Sequence, residues 1–333
     1  MPGLREQTVA APLRIGERGR YPATMGDMVS RWVPDILSGF EQASVGAVTL
    51  VRPVQQPPAP RSVVLHVHGY NDYFFQDHLA AAFADAGHAF YAVDLARAGR
   101  SLRPGDIPHF MSDVSEQADG IAVAVAALAS LHPGLPLVVH AHSTGGLAAA
   151  IWASELPHDA LAALILDSPL FGTILRPWQR VRGLALPLVA ARSPMTIVAA
   201  KPSIYAQRQH VSGGGRWQFD LTLKRPEGVP VRAVWLAAAR RARAKVAAGL
   251  HVGVPVLVAR SDSSGPDVAS NPLLDQQDTV IDVAAVAQLA PRIGDRVDQL
   301  VVPGGVHELS LSQDAPRALY LETVMQWLDT VLP

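Results

Sequence analysis

Apolar runs of strand length recur along this chain, and each is followed by a segment of helical periodicity. The runs are SVVLHVHG (62–69), AFYAVDL (89–95), LPLVVHAH (135–142) and LAALILDSPL (161–170). They are continuous rather than alternating, as strands buried on both faces require. Between them lie DHLAAAFADAG (77–87), stopped by Gly87, and SDVSEQADGIAVAVAALASLHPG (112–134), ended by Pro133 and Gly134. In the second segment Val114, Ala118, Ile121, Val125 and Leu128 fall on one helical face. GGLAAAIWASEL (145–156) is a third helical segment. Strands alternating with helices in this way predict an α/β fold: a mostly parallel sheet covered by helices on both faces.

The alternation stops at Phe171 and resumes with VPVLVARS (254–261), VAAVAQLAPRIG (283–294), DQLVVPGG (298–305) and DAPRALYLETVMQWLDTVL (314–332). The interval holds prolines, SGGG (212–215), scattered aromatics and a basic helix over 233–250. It reads as a cap inserted into the sheet. Ahead of the first buried strand, ASVGAVTLVRPV (43–54) predicts a strand or hairpin, broken by QQPPAP (55–60). Residues 1–38 read as an extended arm with one short helix around Met25–Leu37. The expected division is an arm (1–41), a first core part (42–170), a cap or lid (171–250) and a second core part (251–333).

Composition narrows the function. A net charge of −1 gives no global pull toward nucleic acid or anionic lipid. The absence of cysteine excludes disulfides, thiol catalysis and thiolate metal sites. The N-terminal stretch has no continuous apolar core of the signal-peptide kind, and no stretch has the length and low charge of a membrane span. A cytoplasmic protein acting on a small molecule, without a cofactor, is the expectation; the oligomeric state stays open.

The stretch VVHAHSTGG (138–146) carries the chemistry. A tight strand-to-helix turn forces its central residue into strained backbone angles. Side chains two before and two after that residue would collide with the neighbouring strand and helix. Ala141 and Gly145 are small enough, so Ser143 is the candidate nucleophile of a G-x-S-x-G elbow with alanine at its first position. The competing role is a helix-capping serine.

A serine hydroxyl needs a base. His307, in VVPGGVHELSL (301–311), lies in a loop between the last strand and the last helix, from which it can reach over the sheet edge. The base needs an acid, which in a Ser…Asp…His order follows strand 254–261. Asp262, Asp267, Asp275, Asp278 and Asp282 qualify. Asp278, just ahead of the helix that begins near Val283, is favoured; Asp262, straight off the strand, is the alternative. An oxyanion needs two N–H donors. Thr144, after the nucleophile, supplies one, and Tyr70, after Gly69 in HVHGYNDY (66–73), supplies the other.

In the order HVHGYNDY, DLARAGRS (94–101), HAHSTGG (140–146), cap, GGVHELSL (304–311), the chain resembles an α/β-hydrolase of the serine-aminopeptidase-like group. That group includes monoacylglycerol lipases and bacterial lysophospholipase-like hydrolases. DLARAGRS is similar to the group's D-x-x-G-x-G-x-S loop, with Arg97 and Ala98 as departures. The resemblance implies the α/β-hydrolase fold, Ser143 as nucleophile, His307 as base, and Tyr70 and Thr144 as oxyanion donors. The acid is its weakest carry-over, because the loop after the strand is long here.

The expected activity is hydrolysis of carboxylic esters through an acyl-enzyme, on a lipophilic monoacylglycerol- or lysophospholipid-like substrate. An aminopeptidase-type amide hydrolase would need a cap carboxylate, for which Glu227 and Asp220 are available. A non-catalytic ligand binder on the same fold is the third reading. The pairs His66/His68 and His140/His142 have metal-compatible spacing but are expected to hydrogen-bond around the elbow instead. Arg240, Arg241, Arg243 and Lys245 are expected to form a solvated helix face, with transient contact to a lipid surface as the alternative. Phe171, Trp178, Leu184, Leu186, Leu188, Met195, Tyr205, Trp217 and Phe219 either line an acyl pocket or form the cap's own core.

Overall fold

The structure, a computed structural model, describes residues 29–156, 158–174, 183–200 and 202–333. A nine-stranded sheet runs through them. Its strands are β1 (Val33–Pro34), β2 (Phe40–Val45), β3 (Val48–Pro53), β4 (Val63–Val67), β5 (Ala89–Asp94), β6 (Leu137–His142), β7 (Leu161–Asp167), β10 (Val256–Ser261) and β11 (Val297–Val302). The spatial order is β1-β2-β3-β5-β4-β6-β7-β10-β11. β1 to β3 form an antiparallel edge that joins β5; from β5 to β11 every pairing is parallel. Parallel strands need crossovers. These are α1 (Asp77–Asp85), α2 (Ser115–Leu131), α3 (Ser143–Glu155) and α7 (Val283–Leu289), with α8 (Asp314–Val331) closing the chain.

Side-chain alternation explains why the strands are apolar throughout. In β4, Val63, Leu65 and Val67 enter the core beneath α2 and α3, while Val64 enters the opposite core with Phe90, Val138 and residues of α1 and α8. Both faces are therefore buried, and the central strands are apolar apart from a few buried histidines and acids that pair within the protein. Helix α3 is buried from Ser143 through Ala153, so it carries no solvent stripe.

Between β7 and β10 lie α4 (Leu186–Arg192), β8 (Ile197–Ala199), α5 (Ile204–Gln209), β9 (Val231–Arg232) and α6 (Ala233–Ala248). β8 and β9 pair as a separate antiparallel ribbon. Helix α6 turns Trp235, Ala238, Ala239, Ala242 and Val246 into the same apolar cluster as the sheet. Its basic residues are tied to protein partners. Arg240 donates to Gly183 O (2.6 Å), Arg243 to Phe171 O (2.9 Å), and Arg241 and Lys245 pair with Asp113 (3.2 Å) and Glu155 (2.7 Å). Arg241 and Lys245 thereby tie α6 to Asp113 and Glu155 of the core, while Arg240 and Arg243 tie it to the chain that follows β7.

The apolar residues of the interval divide. Phe171 joins the main core, Leu186 packs on Ala233 and Ala237, and Phe219 joins Tyr73, Phe75 and Leu311. Leu184, Leu188 and Met195 are exposed, and Trp178 lies outside the described residues.

The short helix expected around Met25–Leu37 is corrected over its described part. Val29 bridges to Val45 and β1 pairs with β2, so residues 29–34 are extended edge structure. Pro34 removes a backbone donor, and Asp35 is drawn into a buried pair with Arg100 (2.6 Å). That pair, with Asp94 on the other side of the guanidinium (2.9 Å), outweighs local helix propensity. Residues 25–28 and the rest of the arm lie outside the described residues. Among the described residues no helix is long and apolar enough to cross a membrane.

Candidate active site

β6 ends at His142 in extended conformation, and α3 opens on Ser143, at φ +52°. A non-glycine residue there stores about 1–3 kcal/mol of strain. Its surroundings hold it in place: the Ser143 carbonyl accepts the Leu170 N–H (3.0 Å), and the glycine that follows is enclosed. A Cβ on Gly145 would overlap the carbonyl oxygen of His68. The close approach of α3 to the end of β4 thus depends on glycine at that position, as the sequence pattern requires.

The Ser143 hydroxyl is 2.9 Å from His307 Nε2, and His307 Nδ1 is 2.8 Å from Asp278 Oδ2. All three side chains are buried. Asp278 Oδ1 accepts the N–H groups of Val280 (2.8 Å) and Ile281 (2.9 Å), which fixes the carboxylate plane.

The length of the loop after β10 is absorbed by an excursion. Asp278 donates its N–H to Ser263 O (3.0 Å) and accepts from Gly265 N–H (2.9 Å), so residues 266–277 leave and return at the strand end. Asp262 is exposed, and its carboxylate accepts from Gly304 N–H (3.1 Å). Asp267 accepts from Tyr205 N–H, Asp275 pairs with Arg208, and Asp282 caps α7. The structure therefore brings Ser143, His307 and Asp278 together and employs the other four aspartates elsewhere.

Gly69 lies against the serine: a Cβ built on it would stand 3.0 Å from Ser143 Cβ. Tyr70 thus begins its loop beside the nucleophile candidate. Thr144 sits in the first turn of α3, where backbone N–H groups have no partner inside the helix. Its side-chain hydroxyl is buried without a partner.

The four central histidines hydrogen-bond within the protein. His66 Nδ1 meets His140 Nδ1 (2.8 Å), and His140 Nε2 meets the Tyr320 hydroxyl (2.7 Å). His68 Nε2 accepts from Leu95 N–H (3.0 Å), and His142 Nδ1 donates to Asp167 O (3.2 Å). Burial holds His66 and His142 well below the usual histidine range, and lowers His140 to about 4. Asp167, at the end of β7, is raised well above the carboxylate range by burial, and the nearby Glu308 charge raises it further.

A buried charge cluster adjoins Ser143, His307 and Asp278. Lys224 Nζ is 3.0 Å from Asp72 and 3.6 Å from Glu308, and lies over the rings of Phe75 (4.7 Å) and Phe219 (5.4 Å). Glu308 also accepts from Gln76 and Ser310. Asp72, His142 and Glu308 present atoms within 4.8 Å of one another, close enough for a metal ion. The Lys224 ammonium supplies the compensating positive charge for both carboxylates of that trio.

Sequence reasoning missed this cluster. Asp72 and Glu308 stand inside quoted motifs, beside Tyr70 and His307, and that adjacency was the available signal. Lys224 has no local signal, since its partners are far away in the chain.

A cavity of about 250 Å³ opens over Ser143. Core loops contribute Tyr70, Asn71, Asp72 and Val280; the interval between β7 and β10 contributes Ser203, Tyr205, Ala206, Gln209, Lys224, Val229 and Val231. Gln209 is buried, with neither side-chain amide atom paired in the protein.

A strained serine between a parallel strand and a helix, with histidine and aspartate arriving from later loops at the same sheet edge, defines an α/β-hydrolase. The profile of the serine aminopeptidase (S33) family matches residues 58–314, and the chain belongs to that family. A monoacylglycerol lipase of Mycolicibacterium smegmatis is 34% identical over 129 residues, which span 38% of this chain and 45% of that relative. Among solved structures, a soluble variant of monoglyceride lipase from Saccharomyces cerevisiae superposes with a TM-score of 0.65 at 18% identity, covering 97% of this chain and 99% of that one. Monoacylglycerol lipase from Paleococcus ferrophilus gives 0.60 at 16% identity, covering 82% and 96%.

Proposed function

We propose that the protein is a carboxylic ester hydrolase working through an acyl-enzyme, with the interval between β7 and β10 acting as a cap over the substrate. The observation that carries this reading is the continuous hydrogen-bonded chain Ser143–His307–Asp278 at the floor of a cavity. His307 Nε2 takes the Ser143 hydroxyl proton as Oγ attacks the ester carbonyl. The N–H groups of Tyr70 and Thr144 receive the oxyanion. His307 returns the proton to the leaving alkoxide, then deprotonates a water that attacks the acyl-enzyme and releases the acid. Asp278 keeps the imidazole in the tautomer with Nδ1–H and stabilises the imidazolium.

The substrate assigned is a lipophilic acyl ester of the monoacylglycerol or lysophospholipid kind. Supporting it are the lipase names of the relatives and the mixed character of the cavity wall. Val229, Val231 and Val280 offer an apolar side, and the unpaired Gln209 amide offers a donor and an acceptor to a hydroxyl-bearing leaving group.

The family's description favours a second reading, amide cleavage next to a free amine. Such a substrate needs an unpaired carboxylate. Among the described cavity residues contributed by the interval, Lys224 is the charged one, and it is a cation; Glu227 and Asp220 are not in that wall. The core carboxylates Asp72 and Glu308 are already engaged by Lys224. Comparing a p-nitrophenyl ester with amino-acid anilides tests the order: a faster anilide reaction reverses it. Ser143→Ala should abolish ester hydrolysis and fluorophosphonate labelling while the fold persists. A folded Ser143→Ala protein that kept most of its activity would refute the acyl-enzyme.

A further inference from the structure

Three chain segments converge on one ammonium. Asp72 follows Tyr70 by two residues, so it shares the loop that presents the Tyr70 N–H. Glu308 directly follows His307. Lys224 comes from the interval between β7 and β10, far from both in sequence. Its Nζ bridges them at 3.0 and 3.6 Å, and all three side chains are no more than 7% exposed.

The bridge is reinforced along both arms. Asn71 donates to Arg225 O (2.8 Å) and accepts from Arg225 N–H (3.1 Å), locking the neighbour of Lys224 to the Tyr70 loop. The Tyr73 hydroxyl accepts the Asp220 N–H (2.7 Å). On the other arm, the Tyr205 hydroxyl accepts the Glu308 N–H (3.0 Å), and Trp217 Nε1 donates to Leu311 O (3.1 Å). Two loops from opposite sides of β6 are thus held by one segment that belongs to neither.

We propose that Lys224 is a positioning residue: by joining Asp72 to Glu308 it fixes the Tyr70 N–H and the His307 imidazole relative to Ser143, so the insertion is required for turnover as well as for binding acyl chains. This rests on the hydrolase reading above. The physical reason is that an oxyanion donor and a general base must both be correct within a fraction of an ångström, yet they sit on separate loops. A buried ammonium between two carboxylates is a stiff link, because leaving either carboxylate unpaired in the interior is strongly unfavourable. Lys224 touches neither the scissile carbonyl nor the serine in this scheme; it acts through its two partners.

The test uses p-nitrophenyl acetate, an ester too short to depend on an acyl channel, with fluorophosphonate titration of active sites. Wild type, Lys224→Met, Lys224→Arg and Asp72→Asn are compared. The expected result is a kcat per titrated site lowered about 10²-fold in Lys224→Met, with KM little changed. Lys224→Arg, which keeps the charge, should recover part of that loss. Asp72→Asn keeps the shape of the loop and should lose kcat with its fold intact, which covers the case of a Lys224→Met protein that does not fold.

A purely structural lysine would lower the number of titrated sites and leave kcat per site unchanged. That result, or kcat in Asp72→Asn equal to wild type, overturns the proposal. A wild type that neither labels nor hydrolyses the acetate ester overturns the hydrolase reading, and this proposal with it.

Discussion

Replacing Asp278 by asparagine separates the two acid candidates, and the structure dictates how the variant fails. Asp278 Oδ1 accepts two backbone N–H groups, from Val280 and Ile281, while Oδ2 faces His307 Nδ1. An asparagine placed here must keep its carbonyl oxygen toward those two donors. Its NH2 group then faces the imidazole, and Nδ1 has to accept. The Nε2 position consequently carries the proton and directs it at Ser143 Oγ, so the base is blocked. Loss of the acid in such triads costs about 10⁴ in kcat, about 5.4 kcal/mol at 1.36 per decade. Asp262→Asn should change kcat less than about threefold, since that carboxylate is exposed and accepts from Gly304 N–H. The assay is steady-state hydrolysis of a p-nitrophenyl ester by both variants, with thermal unfolding as the check on fold. A folded Asp278→Asn enzyme within tenfold of wild type would refute the tautomer argument, and a larger loss in Asp262→Asn would transfer the role to that residue.

The cavity of about 250 Å³ predicts that kcat/KM rises with acyl length. Full burial contributes about 0.8 kcal/mol per methylene, close to fourfold per carbon, up to about six to ten carbons. A monotonic fall from acetate onward across a p-nitrophenyl ester series would remove the lipophilic substrate. His140, kept neutral by burial down to about pH 4, has a folded pKa below its unfolded value of 6.5. The unfolded chain therefore takes the proton first, and stability present above pH 6.5 is lost as pH falls toward 4. This amounts to about 2 kcal/mol between pH 7 and 5. Urea unfolding of wild type and His140→Gln should show their stability gap narrowing by about that amount over the same interval; a constant gap contradicts it. Asp167→Asn should leave kcat within about threefold and the pH–rate profile unmoved at neutral pH, because burial raises that carboxyl well above the carboxylate range and so favours its neutral form. A displaced profile would show that Asp167 is charged.

The parallel sheet and the elbow were legible because both are written locally. A strand buried on two faces must be apolar throughout, and a glycine under the carbonyl of His68 must be glycine. Ser143 and His307, which the structure brings within hydrogen-bond distance, were legible as candidates from their positions beside strand ends. Asp278 was readable as a favoured candidate only, since the excursion 266–277 hides its return to the strand end in pairings with Ser263 and Gly265. The short helix expected around Met25–Leu37 does not form over residues 29–34, because the conformation there is set by partners absent from any local window: Val45 across the edge and Arg100 beside Asp35. Of the basic residues of α6 expected on a solvated face, Arg241 and Lys245 are about half exposed, whereas Arg240 and Arg243 donate to the backbone carbonyls of Gly183 and Phe171. Lys224 was invisible on the same ground, for a lysine gives no sign in sequence of carboxylates some 150 and 80 residues away.

The charges around the triad form one electrostatic design. A general base must be neutral in the resting enzyme and become a cation during attack. Carboxylates near His307 favour the cation, and too many of them would protonate the base before substrate arrives. Four acids crowd this end of the sheet: Asp72, Asp167, Asp278 and Glu308. Asp278 is in direct contact with the imidazole. Asp72 and Glu308 share the Lys224 ammonium, which cancels much of their field. Burial favours the neutral form of Asp167, with Glu308 adding to the shift. The cation that engages Asp72 and Glu308 comes from the interval between β7 and β10, so the segment that we propose as the cap also carries the counter-charge for two of the four acids beside His307.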